Sequence, residues 1–438
     1  MATIEAKQVH TVLENFILAD GLHPVFDPVR SHGSYLFDAR DGREYLDLFS
    51  FFATQPIGFN HPKMVAAEFQ ELLGRVSVNR PTLSDIYTSE YASFVETFAR
   101  IAGRGIFRYY FFVEGGSLGV ENALKTAMDW KVRKNLATGH GEKGHQIIHF
   151  REAFHGRSGY SLSLTNTFDP RKHQYFSKFP WPRITNPKLR FPVTTEVLEE
   201  VAQLEKQAVT EIKEALAKNR DDIAALIIEP IQAEGGDNHF RSEFLQQLRR
   251  LADENDFLLI FDEVQTGLGL TGKMWGFEHF GVVPDLISFG KKAQTAGCAS
   301  TNRIDEVPEN VFHTPSRINS TWGGNLTDMV RSQKYLEIIE EEKLVDNAAR
   351  VGAYLLHRLE ELSARESTIS NVRGRGLMIA FDLPDSKARD RLRDGIYKNG
   401  AIILPCGARS LRLRPHLDFT QKAADQAVDL ITKSLSAL

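Results

Sequence analysis

Three apolar runs in the sequence each end in side chains that could take part in chemistry. AALIIEP ends at Glu229, FLLIFDEV at Asp262 and Glu263, and PDLISFG is followed by Lys291 and Lys292. Taken alone, a carboxylate and a lysine at adjacent strand ends also fit a buried ion pair that needs no ligand. Further groups are needed before these residues indicate a catalytic site.

A phosphate-binding turn is the first such group. The run YYFFV is followed by Glu114-Gly115-Gly116-Ser117 and then by VENALKTAMDWK, whose apolar residues share one helical face. Glycines let the backbone approach a ligand, Ser117 is a good N-cap, and a helix N-terminus attracts an anion. An ordinary strand-to-helix turn has the same pattern.

An aromatic and a cationic side chain follow another apolar run, since Phe154 and Arg157 lie in AFHGR directly after HQIIHF. Pyridoxal phosphate requires a phosphate cradle, an aromatic face, an acid at the ring nitrogen and a lysine that binds its aldehyde. An ion pair alone needs neither the cradle nor the aromatic. The combination therefore predicts a pyridoxal phosphate site.

Two nucleotide-binding patterns overlap this region. FLLIFDE could be a Walker B strand, and GLGLTGK, residues 267–273, has P-loop spacing. However, Met274 stands where magnesium binding needs Ser or Thr, and no strand fits before the loop. The same glycines match GxGxxG, but the residues that follow are a poor helix. We interpret this stretch as a glycine-rich loop beside an active site, with a P-loop-like NTPase as the distant alternative.

The elements that must position these residues form an α/β pattern. From Tyr109 onward, short apolar runs alternate with helical stretches, which predicts a mainly parallel sheet covered on both faces. Ligands of such sheets collect at the carboxyl ends of the strands. We expect a large domain over 61–325 and a small α+β domain built from 1–60 and 326–438.

Residues 165–192 show no clear period, and a connection this long is usually functional or packs on a partner.

Composition excludes several classes of protein. The 438 residues contain 53 Lys and Arg against 57 Asp and Glu, so no basic surface predicts a nucleic-acid partner. Cys298 and Cys406 lie far apart, which argues against a disulfide scaffold or a metal site. The polar N-terminus lacks the apolar run of a signal peptide, and no stretch could span a bilayer. We therefore expect a cytoplasmic enzyme without a membrane partner.

The stretch LLIFDEVQTG…TGKMWGFEHFG…PDLISFGKK resembles the signature of the class III, ω-amino-acid aminotransferases, and the similarity covers nearly the whole chain. It implies a pyridoxal-phosphate-dependent transferase of fold type I, with a mainly parallel seven-stranded sheet in the large domain. It also implies a homodimer with shared active sites. SLSLTNT and STWGGNLTDMVR most resemble the lysine 6-aminotransferases of this family. The 4-aminobutyrate enzymes are the nearest rival, sharing EPIQxEGGD, DEVQTG and NVRGRG.

The resemblance assigns cofactor roles to eight residues. They are Lys291 as the cofactor lysine and proton shuttle, Asp262 at the ring nitrogen, Gln265 at the ring hydroxyl, Phe154 over the ring, Glu229 near Asp262, Gly116 and Ser117 at the phosphate, and Thr321 from the other subunit. The resemblance assigns no role to the adjacent Lys292. In the family the cofactor lysine directly follows a small residue, and here Lys291 directly follows Gly290.

The implied reaction moves the ε-amino group of L-lysine to 2-oxoglutarate. The products are glutamate and 2-aminoadipate 6-semialdehyde, which cyclises to a piperideine carboxylate; 4-aminobutyrate or another ω-amino acid is the alternative donor. Arg157 and Arg412 match the arginines that bind carboxylates, which suits the two carboxylates of 2-oxoglutarate. Glu234 matches the glutamate that neutralises the inner arginine, Arg412, and Asn319 is a candidate for the α-amino group of lysine.

Overall fold

The computed structural model describes residues 4–436 of the chain. Its fourteen strands are β1 (Tyr35–Phe37), β2 (Glu44–Asp47), β3 (Tyr109–Val113), β4 (Gln146–Phe150), β5 (Arg183–Ile184), β6 (Ile223–Ile228), β7 (Leu258–Asp262), β8 (Leu286–Phe289), β9 (Ala296–Ser300), β10 (Ser370–Arg375), β11 (Met378–Asp382), β12 (Ala401–Ile402), β13 (Leu404–Cys406) and β14 (Ser410–Leu413).

Helices connect and cover these strands. The α-helices span Val9–Glu14, Ala67–Ser77, Ser89–Phe98, Gly116–Ala137, Gly159–Leu164, Thr195–Asn219, Ser242–Asn255, Leu326–Glu341, Leu344–Arg365, Ser386–Asn399 and Gln421–Leu435. Short 3-10 turns include Pro170–Lys172 and Lys291–Ala293.

Seven strands form the central sheet in the order β3-β9-β8-β7-β6-β4-β5. The strands from β8 to β5 are mutually parallel, whereas β9 runs antiparallel to both β8 and β3. This confirms the predicted mainly parallel seven-stranded sheet. Because β3 has the same direction as β8, the carboxyl ends of β3, β4, β6, β7 and β8 all lie at one edge.

Both faces of this sheet are buried, which explains the continuous apolar runs. Along β6, Ala225 and Ile227 pack toward the helix Gly116–Ala137, whereas Leu226 and Ile228 belong to the cluster on the opposite face. Side chains of a strand point alternately to the two faces, so a strand covered on both sides must be apolar at every position. The helix approaches closely, since a Cβ at Gly119 would lie 2.7 Å from the carbonyl oxygen of Gly297.

Two smaller sheets accompany the central one, and the first of them combines early and late parts of the chain. β1 and β2 form an antiparallel hairpin, and β2 also pairs in parallel with β12. The second sheet has the order β10-β11-β14-β13. Directly after β2, residues Ser50–Ala53 form a left-handed turn with φ between 41° and 66°. Such a conformation costs about 1–2 kcal/mol per non-glycine residue, so packing around the turn has to hold it.

Candidate active site

The strand ends open into a cavity of about 1140 Å³. Ten of the twelve residues predicted for the cofactor and substrate sites line it: Gly116, Ser117, Phe154, Arg157, Glu229, Glu234, Asp262, Gln265, Lys291 and Arg412. The parallel strands bring these residues together from positions nearly 300 apart in the sequence.

Asp262 is buried at the end of β7 and is held by three donors. His155 Nδ1 lies 2.7 Å from Oδ2, while the Ser288 hydroxyl and the Val264 amide donate to Oδ1 at 2.9 and 3.1 Å. These three contacts fix the orientation of the carboxylate. The site therefore presents an oriented acid at the strand end.

Glu229 holds the backbone of the loop that carries the aromatic residue Phe154. Its carboxylate accepts hydrogen bonds from the amides of Phe154 at 2.9 Å and Ala233 at 3.0 Å. Burial raises the pKa of Glu229 to about 7, with nearby Asp262 adding to the shift. Glu229 thus holds the loop that carries Phe154.

The two lysines after β8 have separate environments. Lys291 lines the cavity with a left-handed backbone, φ 49°, a strained conformation of the kind found at functional sites. Burial, and secondarily the charge of Arg412, lowers the pKa of Lys291 to about 8. Lys292 instead donates from Nζ to the carbonyl of Gln55 at 3.1 Å. Lys291 is therefore the lysine that faces the cavity.

The turn after β3 has the geometry of an anion site. Gly115, φ 94°, caps the helix Gly116–Ala137 without a side-chain hydrogen bond. A Cβ on Gly116 would lie 2.9 Å from Val264 Cγ1, so glycine keeps the approach open. The Ser117 hydroxyl lies 2.6 Å from the hydroxyls of both Ser158 and Ser161. The helix N-terminus and the serine hydroxyls can bind a phosphate group.

Arg412, on β14, is buried and pairs with Glu234. Its Nη2 donates to Glu234 Oε2 at 2.9 Å, while Nη1 has no partner among residues 4–436. The other oxygen of Glu234, Oε1, is contacted by Lys172 Nζ. Burial opposes ionisation of Glu234, but Arg412 and Lys172 outweigh it, so its pKa lies below the ordinary value.

Two further polar side chains complete the cavity wall. The exposed Arg157 lines the cavity, and its guanidinium makes no hydrogen bond or ion pair within the described part of the chain, so it is available to a carboxylate. Gln265 accepts a hydrogen bond from Arg414 Nε at 3.2 Å. Arg414 is itself buried and pairs with Asp237, whereas Arg409 is half exposed.

Two of the predicted site residues lie elsewhere in the single chain. Thr321 and Asn319 are exposed and do not line the cavity. The Asn319 carboxamide oxygen accepts a local hydrogen bond from the Ser320 amide at 2.8 Å.

The glycine-rich loop is organised around Glu263, in disagreement with a P-loop. The buried Glu263 carboxylate accepts hydrogen bonds from the Thr266 hydroxyl and from the amides of Gly276 at 2.9 Å and Phe277 at 2.7 Å. The loop leads into a 3-10 turn at Gly276–His279 rather than a helix. The NTPase hypothesis is therefore wrong, because no helix N-terminus follows the glycines.

Several residues of the cavity were absent from the sequence-based prediction. His155 lies between predicted residues in AFHGR, and its position after an apolar run could have marked it. Lys172, Phe52 and Gln294 also line the cavity. Their sequence neighbourhoods show no pattern that indicates a ligand site.

The sheet, with an aspartate and a lysine at its strand ends, defines a transferase of fold type I. The family model of class III aminotransferases matches residues 17–435. The chain belongs to this family and is an aminotransferase.

Comparison with individual proteins separates two groups of relatives. The L-lysine-epsilon aminotransferase of Mycobacterium tuberculosis (strain ATCC 25618 / H37Rv) is 49% identical over 98% of this chain and 95% of its own. A probable mitochondrial 4-aminobutyrate aminotransferase of Caenorhabditis elegans is 33% identical over 94% and 88%. The solved lysine aminotransferase from M. tuberculosis superposes with a TM-score of 0.97 at 48% identity, covering 99% of this chain and 100% of the other. Between residues 4 and 436, no helix is long and apolar enough to cross a membrane.

Proposed function

We propose that this chain transfers the ε-amino group of L-lysine to 2-oxoglutarate, with pyridoxal phosphate as cofactor. The proposed products are L-2-aminoadipate 6-semialdehyde, which cyclises to piperideine-6-carboxylate, and L-glutamate. The observation that carries the proposal is one cavity that holds both Arg157, which has no ion-pair partner among residues 4–436, and an Arg412 already paired with Glu234. Lysine is favoured as donor because the relative at 49% identity is named for it.

The residues present fit pyridoxal phosphate. A helix N-terminus without a side-chain cap, together with Ser117, suits its phosphate, Asp262 suits a protonated ring nitrogen, and Phe154 suits the ring face. When bound, the cofactor supplies an aldehyde that takes up the amino group and a ring that withdraws electrons.

Lys291 and Asp262 carry the proposed chemistry on the protein side. With its pKa near 8, the Lys291 amine can both accept and donate a proton at Nζ close to neutral pH. Asp262 would hold the ring nitrogen of the cofactor, and His155, whose Nδ1 lies 2.7 Å from Oδ2, orients the Asp262 carboxylate. We assign to Gln265 a contact with the ring hydroxyl and to Glu229 the positioning of Phe154.

Carboxylate binding differs between the two substrates. In the lysine step, Arg157 binds the carboxylate while Glu234 keeps Arg412 neutralised, because an unpaired buried charge is costly. In the 2-oxoglutarate step, Glu234 moves aside and Arg412 receives the α-carboxylate. The guanidinium fork matches a carboxylate through two hydrogen bonds.

We also propose a cytoplasmic homodimer in which Thr321 contributes to the partner's phosphate site and Asn319 to its substrate site. The exposure of both residues in the single chain supports this assignment. Large apolar side chains are exposed as well, including Phe16 and Leu18 at 84% each, and a second copy would cover such a surface. Light scattering should give twice the chain mass.

A donor panel tests the proposed function. The purified enzyme, loaded with pyridoxal phosphate, is mixed separately with lysine, ornithine and 4-aminobutyrate while the visible absorbance of the cofactor is followed. We expect lysine to bleach the band fastest and the cyclised product to appear after 2-oxoglutarate is added. Fast reaction with 4-aminobutyrate and none with lysine would overturn the assigned donor and leave the aminotransferase class intact.

A further inference from the structure

The exchange at Arg412 needs a second partner for Glu234, and this requirement rests on the proposed 2-oxoglutarate step. The Glu234 side chain is only 17% exposed, so water alone solvates it poorly once it leaves Arg412. An ion that loses its partner in a largely buried position is strongly destabilised. The release of Glu234 would therefore be slow or rare without another cation nearby.

Lys172 supplies that cation. Lys172 Nζ contacts Glu234 Oε1, whereas Arg412 Nη2 contacts Oε2, so each carboxylate oxygen has its own cationic partner. The lysine side chain is 28% exposed and lines the same cavity. Glu234 can consequently lose one partner and keep the other.

The local backbone directs Lys172 toward the cavity. Asp169 caps the 3-10 turn Pro170–Lys172 by accepting from the Arg171 amide, and it also pairs with the Arg171 side chain, which is 83% exposed. His173 Nε2 lies 3.2 Å from the Thr167 carbonyl oxygen and fixes the end of the turn. Of the two adjacent cations, Arg171 is turned outward and Lys172 inward.

We propose that Lys172 is a positioning residue that keeps Glu234 paired when Arg412 releases it to bind the keto acid. Before the exchange, one carboxylate lies between two cations. Afterwards Arg412 pairs with the α-carboxylate of 2-oxoglutarate and Lys172 with Glu234, so every one of these charges has a partner. This gives the segment 165–192 a function in acceptor binding.

The test is Lys172→Met, measured in the two half-reactions separately. The donor half starts from enzyme loaded with pyridoxal phosphate, and the acceptor half starts from enzyme loaded with pyridoxamine phosphate. We expect the apparent affinity for 2-oxoglutarate to fall about tenfold, equivalent to about 1.4 kcal/mol, with the lysine half little changed. Lys172→Arg should restore the affinity. Lys213→Met, at an exposed lysine of the helix Thr195–Asn219, is the matched control.

A double-mutant cycle distinguishes positioning from a general structural role. In a Glu234→Ala background the residue that moves is gone, so Lys172→Met should no longer weaken 2-oxoglutarate binding. Two results for Lys172→Met alone would overturn the proposal: equal slowing of both half-reactions, or an unchanged acceptor half-reaction. The same tenfold loss of 2-oxoglutarate affinity in the Glu234→Ala background would also overturn it. If the methionine variant does not fold, Lys172→Gln serves the same test. The acceptor half needs no amino donor, so failure of lysine as donor leaves this result interpretable.

Discussion

The cavity has two ends that hold their carboxylates in different ways. At the cofactor end, formed by Asp262, His155, Ser288 and Lys291, the acid is 4% exposed and receives three short hydrogen bonds from strand ends and the following loops. At the carboxylate end, formed by Glu234, Arg412, Lys172 and Arg157, the acid is 17% exposed and meets two cations on long side chains.

This difference matches the demands on each end. A charge that both halves of a transamination need should stay fixed, because preorganised groups require no rearrangement during the reaction. A charge that must neutralise an arginine for one substrate and leave it for the next should be held by exchangeable partners. Changes at the cofactor end should therefore affect both half-reactions alike, and changes at the carboxylate end should separate them by substrate.

Lys291→Ala should give the largest effect. Removing the Nζ amine eliminates the proposed proton-transfer group and the proposed covalent link to the cofactor, so we expect turnover to fall by at least about 10²–10⁴-fold in both halves. Single-turnover kinetics and the visible absorbance after gel filtration measure the two losses. Parental turnover by this variant would contradict the assigned role of the cofactor end.

Asp262→Asn comes next and keeps the shape of the side chain. Loss of the fixed charge should slow both halves by a similar factor of about 10²–10³, as is typical when one electrostatic group is removed. The ratio of the two rate constants is the informative measurement. A variant that slows only the 2-oxoglutarate half would show that the two ends do not differ as described.

Arg157→Met tests the arginine of the carboxylate end that is expected to keep the same role with both substrates. In the proposed reaction both substrates present a carboxylate to Arg157, so KM should rise for lysine and for 2-oxoglutarate by about 10–100-fold, since a hydrogen bond to a charged group contributes about 1.5–3 kcal/mol. Steady-state kinetics with each substrate varied in turn measures this. Arg250→Met, at an exposed arginine of the helix Ser242–Asn255, is the control, and a rise confined to one substrate would reassign Arg157.

Lys292→Met should have the smallest effect on turnover and a measurable effect on stability. Burial lowers the pKa of Lys292 from 10.5 to about 7. Between these pH values the unfolded chain binds the proton and the folded chain does not, so this lysine makes stability rise with pH by up to about 1.4 kcal/mol per unit. Urea unfolding at several pH values should show a flatter profile for the variant. Parallel profiles would indicate that Lys292 titrates normally in the fold.

The cofactor end could be predicted far better than the carboxylate end. Glu229, Asp262 and Lys291 each follow an unbroken apolar run, and parallel strands bring such ends to one edge by geometry alone. The resemblance to a known family then supplied Arg412 and Glu234. The division of the chain at residues 60 and 325 stays a prediction.

The residues that escaped prediction depend on contacts that the sequence does not encode locally. Lys172 lies in an aperiodic segment and meets Glu234 62 positions later. His155 was overlooked because its role follows from a buried contact with Asp262, 107 positions away. For Thr321 and Asn319, the proposed contacts lie in a second chain and remain predictions.

The parallel pairing of β2 with β12 has a consequence for translation. Leu46 on β2 pairs with Ala401, and both are buried in the finished protein. A nascent chain therefore carries the buried side chains Tyr45 and Leu46 of β2 without their β12 neighbour while about 350 intervening residues are being made, a period in which exposed strand edges invite aggregation. The pocket wall that contains Phe52 and Arg412 likewise closes only after the C-terminal strands have been made.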